Sequence, residues 1–138
     1  MEKITNNNFV TFLKRNHLKP TLQRFTLVKL LFDGKNKHFT AEDLYEKVKL
    51  KKNKISLATI YNTLHSFVEK KLLKQVSIKD GKTIFCTNMK NHYHFFNPKT
   101  GKLTDIPYGR IKINKLPKPP KGTKIDNVEI TINLNKKN

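Results

Sequence analysis

The run ISLATIYNTLHSFVEKKLL, residues 55–73, decides how the rest of the chain is read. Leu57, Ile60, Tyr61, Leu64, Phe67 and Val68 recur at helical spacing and make one apolar stripe. Ser56 stands at the N-cap, where its hydroxyl can accept a bond from an unsatisfied backbone N–H. The other face presents Ala58, Thr59, Asn62, Thr63 and Ser66, small or uncharged in a lysine-rich chain. Small side chains let a helix backbone approach base edges, and an asparagine amide can bond adenine through N6 and N7. A surface helix that merely lacks charge gives the same pattern, so the neighbouring segments decide.

Upstream, residues 8–16 predict a short helix with Phe9, Phe12 and Leu13 on one side. Lys19-Pro20-Thr21 opens a second, with Leu22, Phe25, Val28, Leu31 and Phe32 as apolar positions and Gly34 as a stop signal. Thr40, with Asp43 three residues on, opens a third helix that buries Ala41, Leu44, Tyr45 and Val48. A lysine-rich loop, 49–54, leads into the decisive run. Beyond it, Val76 and Ile78, then Ile84 and Cys86, alternate with polar residues. Asp80-Gly81 between them signals a tight hairpin turn. Three helices followed by a basic hairpin predict a winged helix-turn-helix, which sets one helix in the major groove and its wing on the backbone.

The rest of the chain has weaker signals. Residues 87–91 read as a hinge. Residues 93–96 and 103–106 are short strand candidates around a turn at 98–101, and 107–115 are ambiguous, with a short helix as one reading. Three prolines make 116–122 an irregular loop. Ile130, Ile132 and Leu134 alternate, so 124–134 predicts a half-buried strand. This second half is too small to bury a good core alone and is expected to pair with a second copy. The fold class is α+β: an N-terminal winged helix-turn-helix domain (1–86), the hinge (87–91), and a small α/β dimerisation and sensing domain (92–138).

The 138 residues carry a net charge of +19, from 29 Lys or Arg against 10 Asp or Glu. Such an excess points to an anionic partner, above all nucleic acid. It is spread evenly, with seventeen basic and seven acidic residues over 1–80 and twelve and three over 81–138, so it is no basic tail on a neutral body. Only three basic residues are Arg, and Asn and Ile are abundant, as coding in an AT-biased genome would give. A single cysteine, Cys86, excludes an internal disulfide framework and any CxxC zinc site. With no apolar leader or membrane span, the expected compartment is the cytoplasm. A thiol enzyme or hydrolase lacks support, because there is no Gly-rich oxyanion turn and no acid placed to orient a base. A nonspecific, nucleoid-type binder would use the charge alone; the capped helices, the hairpin and the uncharged helix face argue against it.

In order, LKPTLQRFTLVKLLF, HFTAEDLYEKV and ISLATIYNTLHSFVEKKLLKQV resemble the ferric uptake regulator (Fur) family, over roughly residues 17–134. The resemblance extends to its Irr branch of iron response regulators: Asn62 stands where most Fur proteins carry Arg, and KTIFCTN, HYHFF, DIP and KPPKGTKI follow the Irr arrangement. It implies an iron-responsive homodimer that binds an AT-rich inverted repeat in double-stranded DNA. Carried over residue by residue, Arg24 would touch the DNA backbone, and Tyr61 the backbone or a thymine methyl. Asn62 would read bases, and Ser56 and Thr59 would meet phosphate or base edges. Lys19, Lys79 and Lys82 carry only a general electrostatic expectation.

His92 and His94 are two apart, which on a strand puts both imidazoles on one side, able to share one metal or haem. Incidental histidines on a surface strand would look the same. The resemblance implies a hinge site for Fe²⁺, Mn²⁺ or Zn²⁺ built from His38, Cys86, His92, His94 and Asp105. Cys86 departs from the family's acid at its position, and its thiolate is either a soft ligand or an inert buried thiol. The family's structural CxxC zinc would fall at Asn97 and Thr100 and is therefore expected to be absent. A second metal site, matching Asn91 and Tyr93, is expected to be lost. Irr proteins respond to haem, which makes His92 and His94 haem candidates as well. His17 and His65 match no family ligand and read as surface or packing residues.

Overall fold

The computed structural model describes residues 2–78 and 81–137. The chain divides into two compact units, Met1–Ser77 with Gly81–Met89, and Ile78–Asp80 with Lys90–Asn138.

In the first unit, α1 (Phe9–Arg15), α2 (Leu22–Leu31), α3 (Ala41–Leu50) and α4 (Leu57–Glu69) pack around one core. Phe67, Phe85, Leu13, Leu27, Leu44, Ile60 and Leu64 are among its fully enclosed side chains. The helix starts are chemically specified. Thr21 and Ser56 accept the backbone N–H of Arg24 (3.2 Å) and Thr59 (3.1 Å). At α3 the capping box is complete: Thr40 accepts the Asp43 N–H at 3.0 Å and returns its own N–H to the Asp43 carboxylate at 2.9 Å.

A three-stranded antiparallel sheet, order β1-β3-β2, completes the unit: β1 (His38–Phe39), β2 (Lys74–Ser77) and β3 (Thr83–Cys86). Gly81 has φ +81°, as its turn role requires, while Asp80 lies outside the described residues. The last described pair of the hairpin is Ser77 with Thr83, and the expected Asp80-Gly81 turn lies partly outside the described residues. Ile84, Phe85 and Cys86 are all buried, because β3 is central and covered on both faces; the expected alternation fails there. In α2, Leu22 is 78% exposed and Leu27 takes its place in the core. Leu22 is the first helical residue, one turn and a half before the buried Leu27–Val28 pair.

The second unit is a sheet of order β5-β4-β6: β4 (His92–Asn97), β5 (Lys102–Pro107) antiparallel to it, and β6 (Thr131–Asn133) parallel to it. The turn between β4 and β5 closes through the Gly101 N–H to the Asn97 carbonyl, 2.8 Å, with Gly101 at φ +70°. No helix forms over 107–115; a turn at Tyr108-Gly109 leads into an irregular stretch. The predicted last strand shrinks to three residues. Few apolar residues of this unit are enclosed, while Tyr108, Ile113, Leu116, Ile125, Ile132 and Leu134 are exposed. No described helix is long and apolar enough to cross a membrane.

Candidate DNA-reading face and metal ligands

The capped end of α4 presents an accessible, uncharged surface. Ala58 and Asn62 are exposed, Thr59 and Tyr61 half-buried, and Ser56 exposed. The Ser56 hydroxyl donates to the Thr59 hydroxyl at 2.9 Å, so the two are ordered together at the helix start. Thr63, expected on this face, is instead buried on the core side, its hydroxyl satisfied by the Thr59 carbonyl at 2.8 Å. Arg24, half-buried, donates one guanidinium N–H to the Lys19 carbonyl at 2.8 Å, which fixes its direction; Lys19 itself is exposed. Lys82 is exposed, and Lys79 lies outside the described residues.

Tyr61 is held more firmly than its sequence position suggests. Its hydroxyl donates to the Glu42 carboxylate of α3 at 2.6 Å, and its ring stacks on His65 at 6.4 Å between centroids. That hydrogen bond lowers the Glu42 pKa and raises that of Tyr61. Glu42 has no sequence signal for this role, because the contact joins residues nineteen apart on two different helices. His65 also meets Phe85 edge-on, as a packing residue does.

Two sets of metal-ligand side chains are present, one in each unit. In the first, His38 pairs directly with Cys86 across β1 and β3, so both side chains share one sheet face. A His38 ring nitrogen and the Cys86 sulfur lie within 4.8 Å, and the thiol is fully enclosed. Periodicity could not have brought this pair together, because a two-residue strand has no period to detect, and only the family resemblance pointed to it. In the second unit, β4 sets His92 and His94 on one face, and the register places Asp105 directly opposite His94. The Asp105 Oδ1 is 3.3 Å from His92 Nε2 and 3.2 Å from His94 Nε2. The rings meet edge-on at 4.5 Å, and their side chains are only 3% and 7% exposed. His92 Nδ1 lies 2.6 Å from the Lys90 carbonyl, the bond that orients a metal-ligating imidazole and leaves Nε2 for the metal.

This donor set fits a divalent ion. Donors about 2.1 Å from one tetrahedral ion sit about 3.4 Å from each other. The two Nε2 to Oδ1 separations agree within a few tenths of an ångström. Two imidazole nitrogens and a carboxylate converging on one point are complementary to a small cation.

The ferric uptake regulator family pattern matches residues 15–133. The chain is 31% identical over 102 residues to the peroxide-responsive repressor PerR of Staphylococcus epidermidis, covering 74% of this chain and 67% of that one. It is 33% identical over 104 residues to the ferric uptake regulation protein of Escherichia coli K12, covering 75% and 69%. Its fold is similar to that of the manganese-containing ferric uptake regulator of Pseudomonas aeruginosa, with a TM-score of 0.73 at 21% identity, covering 98% and 100%.

Proposed function

We propose, from the premise that this chain belongs to the ferric uptake regulator family of metal-responsive transcription regulators, that it is an iron-responsive DNA-binding homodimer of the Irr type. The observation that carries this reading is the accessible, uncharged Ala58–Asn62 face at the capped start of α4. Asn62 reads bases, Ser56, Thr59 and Tyr61 contact base edges or phosphate, and Arg24 and Lys19 engage the backbone. The target is an AT-rich inverted repeat, because a twofold protein reads two matching half-sites. The exposed apolar residues of the second unit supply the surface between copies, and the protein acts in the cytoplasm, where that DNA is.

His38 and Cys86 of the first unit, with His92, His94 and Asp105 of the second, are assigned as ligands of one divalent ion. When bound, that ion supplies the charge and the geometry that tie the two ligand sets together. A dimer whose reading helices are held at one spacing binds half-sites of fixed separation more tightly, and this is the coupling between ligand and DNA. The close convergence of the two Nε2 atoms and the Asp105 oxygen favours an ion over haem, since a porphyrin iron would have to displace the carboxylate.

The test is selection of bound duplexes from a random pool, with chelator-treated and metal-loaded protein. Metal-loaded protein should enrich one inverted repeat. Asn62→Ala should lose about 1–3 kcal/mol of discrimination at one base position per half-site while keeping its affinity for random DNA. Failure to enrich any repeat refutes the regulator reading. Equal enrichment with and without Mn²⁺, Fe²⁺ and Zn²⁺ refutes the coupling alone.

A further inference from the structure

Nearly half of the positive charge lies after residue 80, away from the reading helix, and the sequence sorts part of it with a period of three. Residues 110–124 read RIKINKLPKPPKGTK, six basic residues and no acid. Lys112, Lys115, Lys118, Lys121 and Lys124 fall on every third position, and Ile113, Leu116, Pro119 and Ile125 share the next register. Residues 113–120 belong to no helix or strand, and 111–120 contain no internal backbone hydrogen bond among the described residues. Pro117, Pro119 and Pro120 fix φ near the polyproline II value. In that conformation every third residue returns to the same edge. Lys112, Lys115, Lys118 and Lys121 would then fall on one edge at intervals of about 9 Å, and Ile113, Leu116 and Pro119 on a second. A turn closed by the Thr123 N–H to the Pro120 carbonyl (3.1 Å) ends the run. All five lysines are exposed, and none forms an ion pair among the described residues.

We propose that Lys112, Lys115, Lys118 and Lys121 form a lysine edge that binds the phosphate backbone of duplex DNA, separately from α4 and without regard to base sequence. The edge spans about 28 Å. Duplex DNA presents one charge per about 1.7 Å, so some sixteen phosphates lie within that span and four lysines find partners in any register. Lysine is a point charge that asks for no particular phosphate geometry, unlike the forked guanidinium. The absence of acid neighbours leaves the counterion-release gain undiminished. An anionic membrane suits the segment less well, because the apolar register has no aromatic anchor and only Ile113, Leu116 and Ile125 to insert.

The experiment titrates full-length protein against AT-rich and GC-rich duplexes of random sequence across a salt series. One variant carries K112Q, K115Q, K118Q and K121Q. The control carries the same charge change in the same half of the chain, at K99Q, K102Q, K136Q and K137Q. The edge variant should show a slope of log K against log salt shallower by about 2 to 4. Its affinity near 0.15 M salt should fall about 30-fold if two of the four contacts are lost, equally on both duplexes. The control should keep the wild-type slope. An unchanged slope in the edge variant, an equal fall in both variants, or an effect confined to binding of phosphatidylserine vesicles overturns the lysine edge. None of those outcomes touches the enrichment of an inverted repeat, so the edge and the regulator reading fail separately. Wild-type protein that binds neither duplex also overturns the lysine edge, while the regulator reading stands or falls on the enrichment of a repeat.

Discussion

Asp105→Asn separates a metal ligand from a structural ion pair. The side chain keeps its volume and one oxygen but loses its charge. That oxygen sits 3.3 and 3.2 Å from two imidazole nitrogens, within a few tenths of an ångström of a shared coordination sphere. Loss of an outer-shell partner weakens a metal site about 10- to 100-fold, so loss of the carboxylate itself should cost at least about 100-fold. At a metal concentration 100 times Kd, the bound ion stabilises the native state by about 2.7 kcal/mol. For a chain of this length that raises Tm by roughly 10 °C. In the variant the same concentration equals Kd, which leaves about 0.4 kcal/mol and a rise of roughly 1–2 °C. Thermal denaturation of chelator-treated protein, with and without Mn²⁺, Zn²⁺ or anaerobic Fe²⁺, measures this. The metal-free midpoints measure what the Asp105 pairing with the two imidazoles contributes by itself, and the metal-dependent rise is read above them. The reasoning is refuted if the variant keeps the full metal-dependent rise, or if its metal-free midpoint falls as far as its metal-loaded one.

Two further outcomes follow from the first unit. Thr40→Ala removes the bond from the Asp43 N–H to the Thr40 hydroxyl, while the residue-40 N–H keeps the Asp43 carboxylate, and should lower stability by about 1 kcal/mol, seen as a lower urea midpoint with an unchanged m-value; Thr40→Ser should recover most of it. Tyr61→Phe removes the bond to Glu42, worth below about 1 kcal/mol once solvent screening is counted. The Glu42 pKa is depressed, chiefly by that bond, so its contribution is complete above the ordinary 4.5 and is lost as pH falls through the lower folded value. The Tyr61 pKa is raised, so the same bond persists below 10.0 and is lost as pH rises through the higher folded value. Wild type and variant should therefore differ in Tm between those limits and converge in acid; a difference that persists there would assign the effect to ring packing instead.

Local chemistry was legible in the sequence wherever a few neighbouring residues decide the outcome. Ser56, Thr40 and Asp43 bond within four residues of themselves, so spacing alone identifies the caps of α4 and α3. Thr63 misled because pattern reading counts a hydroxyl as polar, whereas a helix can satisfy it internally at the carbonyl four residues back and let it be buried. The helical reading of 107–115 fails as Gly109 adopts φ +92° in the turn that closes on Pro107. The link between Tyr61 and Glu42 needs the packing of α3 on α4, which no local pattern contains.

The ligand pairs show how far register can be derived. In the second unit, a turn at 98–101 pairs Asn97 with Lys102, and counting back along both strands brings His94 opposite Asp105. Turn chemistry therefore fixes the pairing of His94 with Asp105, and the period of two adds His92 to the same face. In the hairpin, a two-residue turn at Asp80-Gly81 would have set Cys86 against Gln75; the observed register sets it against Lys74. No turn connects β1 to β3, so nothing can be counted there. The register is instead set by Phe39 and Phe85, which stack at 5.7 Å inside the core. Since neighbouring strand residues face opposite ways, seating that ring pair in the core forces His38 and Cys86 together on the other face. A slip of one residue would turn Phe39 out of the core and His38 into it, at the cost of burying an imidazole in place of a phenyl ring. The hydrophobic core thus holds His38 and Cys86 side by side, which is why a lone cysteine and a histidine 48 positions earlier could not be paired from spacing.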